Sequence, residues 1–415
     1  MAQTISDEAQ RTTIAFSGLA LMTGNIEAQS FFPPGKVADY TGFQYLRDND
    51  PSDMGHNTSF LTRVANNVLD VLDDAQMAQL KALASQELSL VESYGYKRFT
   101  LMQAFRRTVE NDLPPGSRGL NVNAVKQVSR DLYLIDGAIS FERAVLYSTI
   151  VRSLTPTQKA RLDGMKGKGW ASWPDVTDDQ VRAKTQGLAA GTAVLVMTYA
   201  SDIYSWSEGS LEADVYFCPE RHGTYYGGFY IKDAPAVGHE GYGIDEQLTA
   251  TAGSALVDAR SGYVTATQAS AMAALVDRQR SSLYAGGSSS IVGVRTDIAT
   301  LLRSLLSPLQ TPQAALNTMQ TRVLALSATY GELDGEMNHA YATTFASIYQ
   351  SMSASQRTKL TTLRRQILTG RYADGTPYDY TTATTSYLYA EPVRDGRVLE
   401  PYTGNTDWLF FEPVK

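Results

Sequence analysis

Apolar residues return at three- and four-residue spacing along most of this chain. The pattern is clearest at Val125, Val128, Leu132, Ile135, Ile139, Ala144, Leu146 and Ile150. Such spacing lays one apolar stripe along a helix and turns it towards a core. Residues 296–307 and 314–350 carry the same stripe. Extended segments are predicted only in two places, residues 27–32 with 42–47 and residues 212–217 with 228–232. Aromatic side chains are dense there, and Pro33-Pro34-Gly35 and Gly227-Gly228 supply turn signals. The reading is a mainly helical chain with a small β-hairpin in each of two places.

Those two places resemble each other. At a constant offset of 185, Glu27/Glu212, Ala28/Ala213, Phe32/Phe217, Pro34/Pro219, Tyr40/Tyr225, Gly42/Gly227, Tyr45/Tyr230 and Asp48/Asp233 are identical. That is eight identities in 24 positions, where average composition gives roughly one or two. Gly55-His56 then meets Gly238-His239. Asp136-Gly137 meets Asp334-Gly335 at an offset of 198, which also aligns Gln158 with Gln356. Loop insertions account for the drift in offset, since surface connections tolerate them. The chain is therefore expected to be all-α, with two homologous helical-bundle halves from an internal duplication. The first half spans residues 1–165, a Gly- and Pro-interrupted linker 166–185, and the second half 186–369. A tyrosine-rich segment, 370–415, is expected to pack on the body.

A short motif recurs at the predicted helix starts: an apolar residue, then Thr, Ser or Asp, two variable positions, and Gln. It begins at Leu72, Leu154, Val176, Val264 and Met352. Its physical content is a capping box. The Thr, Ser or Asp oxygen accepts an orphan first-turn N–H, and Gln reaches back to the N–H of the cap residue. Leu154-Thr155-Pro156-Thr157-Gln158 also resembles the LTxxQ motif of the Spy/CpxP-like periplasmic helical proteins. That resemblance covers about twenty of the 415 residues. It implies an envelope location and a binding role without catalysis.

Composition narrows the classes. An apolar fraction of 43% and a charged fraction of 19% are those of a globular protein. With 36 basic against 43 acidic residues and no basic stripe, the chain does not read as a nucleic-acid binder. One cysteine, Cys218, excludes an internal disulfide and a Cys-rich metal site. No run reaches the length of a membrane span. Gln3-Thr4 is compatible with the start of a mature chain after a removed signal peptide, so a periplasmic or extracellular location is expected.

Candidate chemistry is sparse. The repeated Tyr40, Gly42, Tyr45 and Asp48, with Tyr225, Gly227, Tyr230 and Asp233, form either a binding surface of aromatic faces and hydroxyls or a wedge holding a hairpin on its helices. His56 and His239 follow matching Asp residues and join that candidate binding set; each is otherwise a loop histidine at a helix start. Cys218 lies near Arg221 and His222, in one copy only. Glu332, Asp334, Glu336 and His339 place a carboxylate and an imidazole at i, i+3, a spacing used in di-iron bundles; the first half offers only Asp136 and Glu142, with Phe141 in place of His339. No nucleophile elbow, P-loop or dinucleotide fingerprint occurs, and no cofactor or catalytic residue is assigned. The expectation is a non-catalytic binding or structural protein, chaperone-like or self-assembling, that contacts a protein partner or its own copies. The alternative is a metal- or ligand-dependent enzyme or carrier using His239, Glu336 and His339.

Overall fold

The structure of this protein is a computed structural model that describes residues 59–169, 172–209, 255–284, 289–307, 309–367, 393–394, 397–398 and 403–411, with residues 11, 14, 15, 18, 19 and 21–23. The described chain is mainly helical. In order it forms α1 (Ser59–Val71), α2 (Asp74–Glu110), α3 (Val122–Ser153), α4 (Pro156–Asp163), α5 (Asp178–Thr185), α6 (Ala190–Glu208), α7 (Ala266–Tyr284), α8 (Ile291–Ser304), α9 (Gln313–Ser351), α10 (Ala354–Ile367) and α11 (Thr403–Phe410). The two hairpins expected near residues 27–47 and 212–232 lie outside the described residues. Among the described residues the strands are the two-residue pair Val393–Arg394 and Arg397–Val398, which is antiparallel.

The long helices α3 and α9 share the most extensive packing, and α2 lies against both. Small residues permit their close approach. A Cβ placed on Gly331 would lie 2.6 Å from the Ser129 carbonyl oxygen and 2.8 Å from the Arg130 Cα, so backbone meets backbone. Gly335 abuts the Ser129 side chain, and Gly137 abuts the Ser327 side chain. The crossing thus contains the same Gly-on-Ser contact twice, with the partners exchanged. Two reciprocal bonds lock its flanks. Arg152 at the end of α3 donates to the Leu305 carbonyl closing α8, and Gln350 at the end of α9 donates to the Thr108 carbonyl near the end of α2, at 3.0 Å. Both carbonyls lie in the last turn of a helix or just past it, where intrahelical bonding is incomplete.

Helix α6 packs on α1, α2 and α3. Described helical residues near the start of the chain touch α9 and α2: Gly18 meets the Phe345 ring of α9, and Arg106 of α2 donates to the Leu21 carbonyl. The glycine-interrupted segment between α4 and α5 is pinned to α1. Trp173 is 4% exposed and donates through Nε1 to the Met165 carbonyl at 2.7 Å. Asn66 and Asn67 donate to the Val176 and Pro174 carbonyls at 3.1 and 3.0 Å. The expected linker is therefore non-helical at its start, packed along α1, and ends in α5. Near the C-terminus, α11 docks on α2 and α3. Arg107 bonds the Thr406 hydroxyl and the Asp407 carboxylate, and the Asn121 N–H donates to the Phe410 carbonyl at 2.9 Å.

Candidate functional site

The recurrent capping motif builds more than caps. At Asp73/Gln76, Thr155/Gln158, Thr265/Gln268 and Ser353/Gln356 both reciprocal bonds of a capping box are present. At Thr177 the backbone N–H donates to Gln180 Oε1 at 2.7 Å. The amide NH2 groups left over then join helices. Gln76 Nε2 donates to Ser153 Oγ at 2.9 Å, while Gln158 Nε2 donates to Gln76 Oε1 and to the Val71 carbonyl, each at 2.9 Å. Elsewhere in the chain, Gln268 Nε2 donates to Ser351 Oγ at 2.9 Å, and Gln356 Nε2 donates to Gln268 Oε1 at 2.9 Å and to the Tyr263 carbonyl at 3.1 Å. Ser153 and Ser351 each donate onward to an isoleucine carbonyl, Ile150 and Ile348. The two networks have the same groups in the same roles.

A buried cluster of charge lies between α2, α3 and α6. Arg143 of α3 has a side chain only 1% exposed. Its Nε lies 3.5 Å from Glu87 Oε2 of α2, and its Nη1 lies 3.4 Å from Asp202 Oδ2 of α6. The guanidinium carbon stands 3.8 Å from the centroid of the Tyr199 ring, a cation–π contact in a desolvated setting. Tyr199 donates its hydroxyl to Glu87, and Tyr147 donates to Asp202 at 3.2 Å. Trp206 completes the wall, its Nε1–H on Ser148 Oγ at 2.8 Å. Burial pushes the Glu87 carboxyl above its ordinary range, with Arg143 opposing the shift. Both tyrosine hydroxyls are held far above theirs, again chiefly by burial. Two carboxylates thus share one guanidinium in a dry junction. This site was not singled out from the sequence. One signal for it was present: Asp202 is the sole charged residue between Lys184 and Glu208.

Gln279 of α7 accepts the hydroxyl of Tyr341 of α9, and both side chains line a cavity of about 160 Å³ together with Leu275, Arg278, Met337 and Ala340.

The candidate binding residues Tyr40, Gly42, Tyr45, Asp48, His56, Tyr225, Gly227, Tyr230, Asp233 and His239 lie outside the described residues, as do Cys218 and His222. The Glu332–His339 group is described, and its members turn to different partners. Glu332 pairs with Arg130 at 3.0 Å and Glu336 with Lys126 at 2.9 Å, both across the α3–α9 crossing. Asp334, 4% exposed, accepts the Tyr133 hydroxyl at 2.8 Å. His339 Nε2 lies 3.0 Å from the Leu120 carbonyl. Burial lowers the pKa of its imidazole, and the bond to Leu120 opposes that shift. The neutral ring with its proton on Nε2 suits that contact. Among the described residues no three His, Cys, Asp or Glu side chains gather as a metal site would require, and no helix is long and apolar enough to cross a membrane.

These features define a mainly helical protein whose ionisable groups converge at helix crossings. No family model, no curated protein and no solved structure matches the chain.

Proposed function

We propose that this chain is an exported, non-catalytic binding or structural protein built from two related halves that grip each other. The observation that carries the reading is the glutamine network found twice. Gln76 matches Gln268 at an offset of 192, Gln158 and Ser153 match Gln356 and Ser351 at 198, and each group plays the same role. The exchanged Gly-on-Ser contacts and the reciprocal bonds from Arg152 and Gln350 support the same duplication. In this reading each half lends its first helix to the other: α6 seats on α1, α2 and α3, and Gly18 meets the Phe345 ring of α9. Each aromatic block of sequence follows one of these helices, so the body is a rigid platform and the two blocks are its contact segments for a protein partner or for further copies. The buried polar groups hold helices together, which supports a role in binding over one in turnover. The LTxxQ resemblance points the same way, towards the envelope.

The test is the full chain carrying Tyr45→Ser and Tyr230→Ser. The expected result is an unchanged helical circular-dichroism spectrum and melting temperature, with loss of whatever higher-order species or complex with an unfolded client protein the parent shows in sedimentation velocity. The reading fails if the parent is a monomer with no affinity for such a client, or if the variant unfolds.

A further inference from the structure

The two halves differ at one pair of positions in a way the repeat itself exposes. Where α2 and α3 place Glu87 and Arg143, α7 and α9 place Gln279 and Tyr341, at the offsets of 192 and 198 that also align Gln76 with Gln268 and Ser153 with Ser351. At one junction these two positions are neutral, with Arg278 and Glu336 lining the cavity beside them. The other seals two carboxylates with one guanidinium. Glu87 is 2% exposed, and its Oε1 has no hydrogen-bond partner, while Oε2 takes the Tyr199 hydroxyl and faces Arg143. A buried anionic oxygen without a donor is far less tolerable than a neutral carboxylic acid at the same place.

We propose that the Glu87–Arg143–Asp202 junction is a built-in proton switch: Glu87 carries a proton while α6 is seated, and release of that proton loosens α6 from α2 and α3. With Glu87 neutral, Arg143 and Asp202 form a one-to-one pair, and the protonated acid has the shape of the amide of Gln279. With Glu87 ionised, the junction holds one net negative charge out of reach of water, on the helix that leads into residues 209–254. The groups facing Glu87 are Arg143, Tyr147 and Glu142 from α3, with Tyr199 and Asp202 from α6. Burial and the nearby Glu142 raise the cost of ionising Glu87, and Arg143 with the Tyr199 hydroxyl offsets part of it.

The direction follows from linkage. A carboxyl whose affinity for its proton is higher in the folded state stabilises that state most at low pH. The contribution is lost as pH rises through the folded-state value. Hydrogen exchange of the α6 amides, corrected for intrinsic base catalysis, should therefore quicken by about tenfold for each pK unit by which folding raises this group, in one step above the ordinary carboxylate range. Glu87→Gln should abolish the step and keep α6 protected throughout. Asp202→Asn should move it to lower pH, because Glu87 then has Arg143 to itself. Carbon-13 labelling of glutamate gives a second readout that needs no unfolding, an elevated carboxyl titration that is missing from Glu87→Gln while that of Glu208, which burial also raises, remains. Titration of every glutamate in the ordinary range, or persistence of the exchange step in Glu87→Gln, would overturn the proposal.

Discussion

Replacing Arg143 by methionine should destabilise the protein by about 3–5 kcal/mol at neutral pH, which is the usual consequence of removing one partner from a buried ion pair. The reason is specific to this junction. Methionine fills the volume of the Arg143 stem, but Glu87 and Asp202, which accept the Tyr199 and Tyr147 hydroxyls, then lose the guanidinium between them. Both carboxyls would take up protons, so the deficit should shrink as pH falls, and urea melts at pH 7 and pH 5 would show it. Glu87→Gln should behave in the opposite way, remaining within about 1 kcal/mol of the parent, since it reproduces the neutral side chain of Gln279. Equal losses from the two substitutions would mean that the cluster acts through packing alone.

The second large effect is expected at the α3–α9 crossing. Gly331→Leu should destabilise by roughly 3 kcal/mol, the upper end for overpacking. Helix propensity favours any side chain over glycine here by up to about 1 kcal/mol. That gain is outweighed, because the first carbon added would meet the backbone of Ser129 and Arg130 at 2.6 and 2.8 Å, and backbone cannot rotate away. Gly191 in α6 is the control. A Cβ there meets only the end of the Leu88 side chain, at 2.9 Å, so Gly191→Ala should change stability by about 1 kcal/mol or less. Thermal melts of the two variants beside the parent are sufficient to check the contrast.

What could be read from sequence was local. The apolar stripe of residues 125–150 marks a helix that the structure contains, and the motifs ending at Gln76, Gln158, Gln268 and Gln356 are capping boxes as the residue types require. The second use of those glutamines was not legible, because the amide that crosses to Ser153 or Ser351 depends on where another helix lies. The junction around Arg143 was hidden for the same reason: Glu87, Arg143 and Asp202 come from three helices, 56 and 59 residues apart in the chain. Only the isolated charge of Asp202 in an apolar run hinted at a buried partner. The Glu332–His339 group shows the converse. Its spacing is that of a metal-binding helix, yet Glu332 and Glu336 meet Arg130 and Lys126 while Asp334 and His339 turn to Tyr133 and the Leu120 carbonyl. Spacing along one helix fixes a face, and the neighbouring helix decides what that face does.

The account rests on the two halves being interlocked, through the α3–α9 crossing and the bonds exchanged by Arg152 and Gln350. Native-state hydrogen exchange with increasing denaturant tests this most directly. The slowest amides of α3 and α9 are expected to share one opening free energy and one denaturant dependence, so that both halves exchange in a single global event. If amides of one half open fully at a lower free energy while the other stays protected, the halves are separate units and the interlocked reading is wrong.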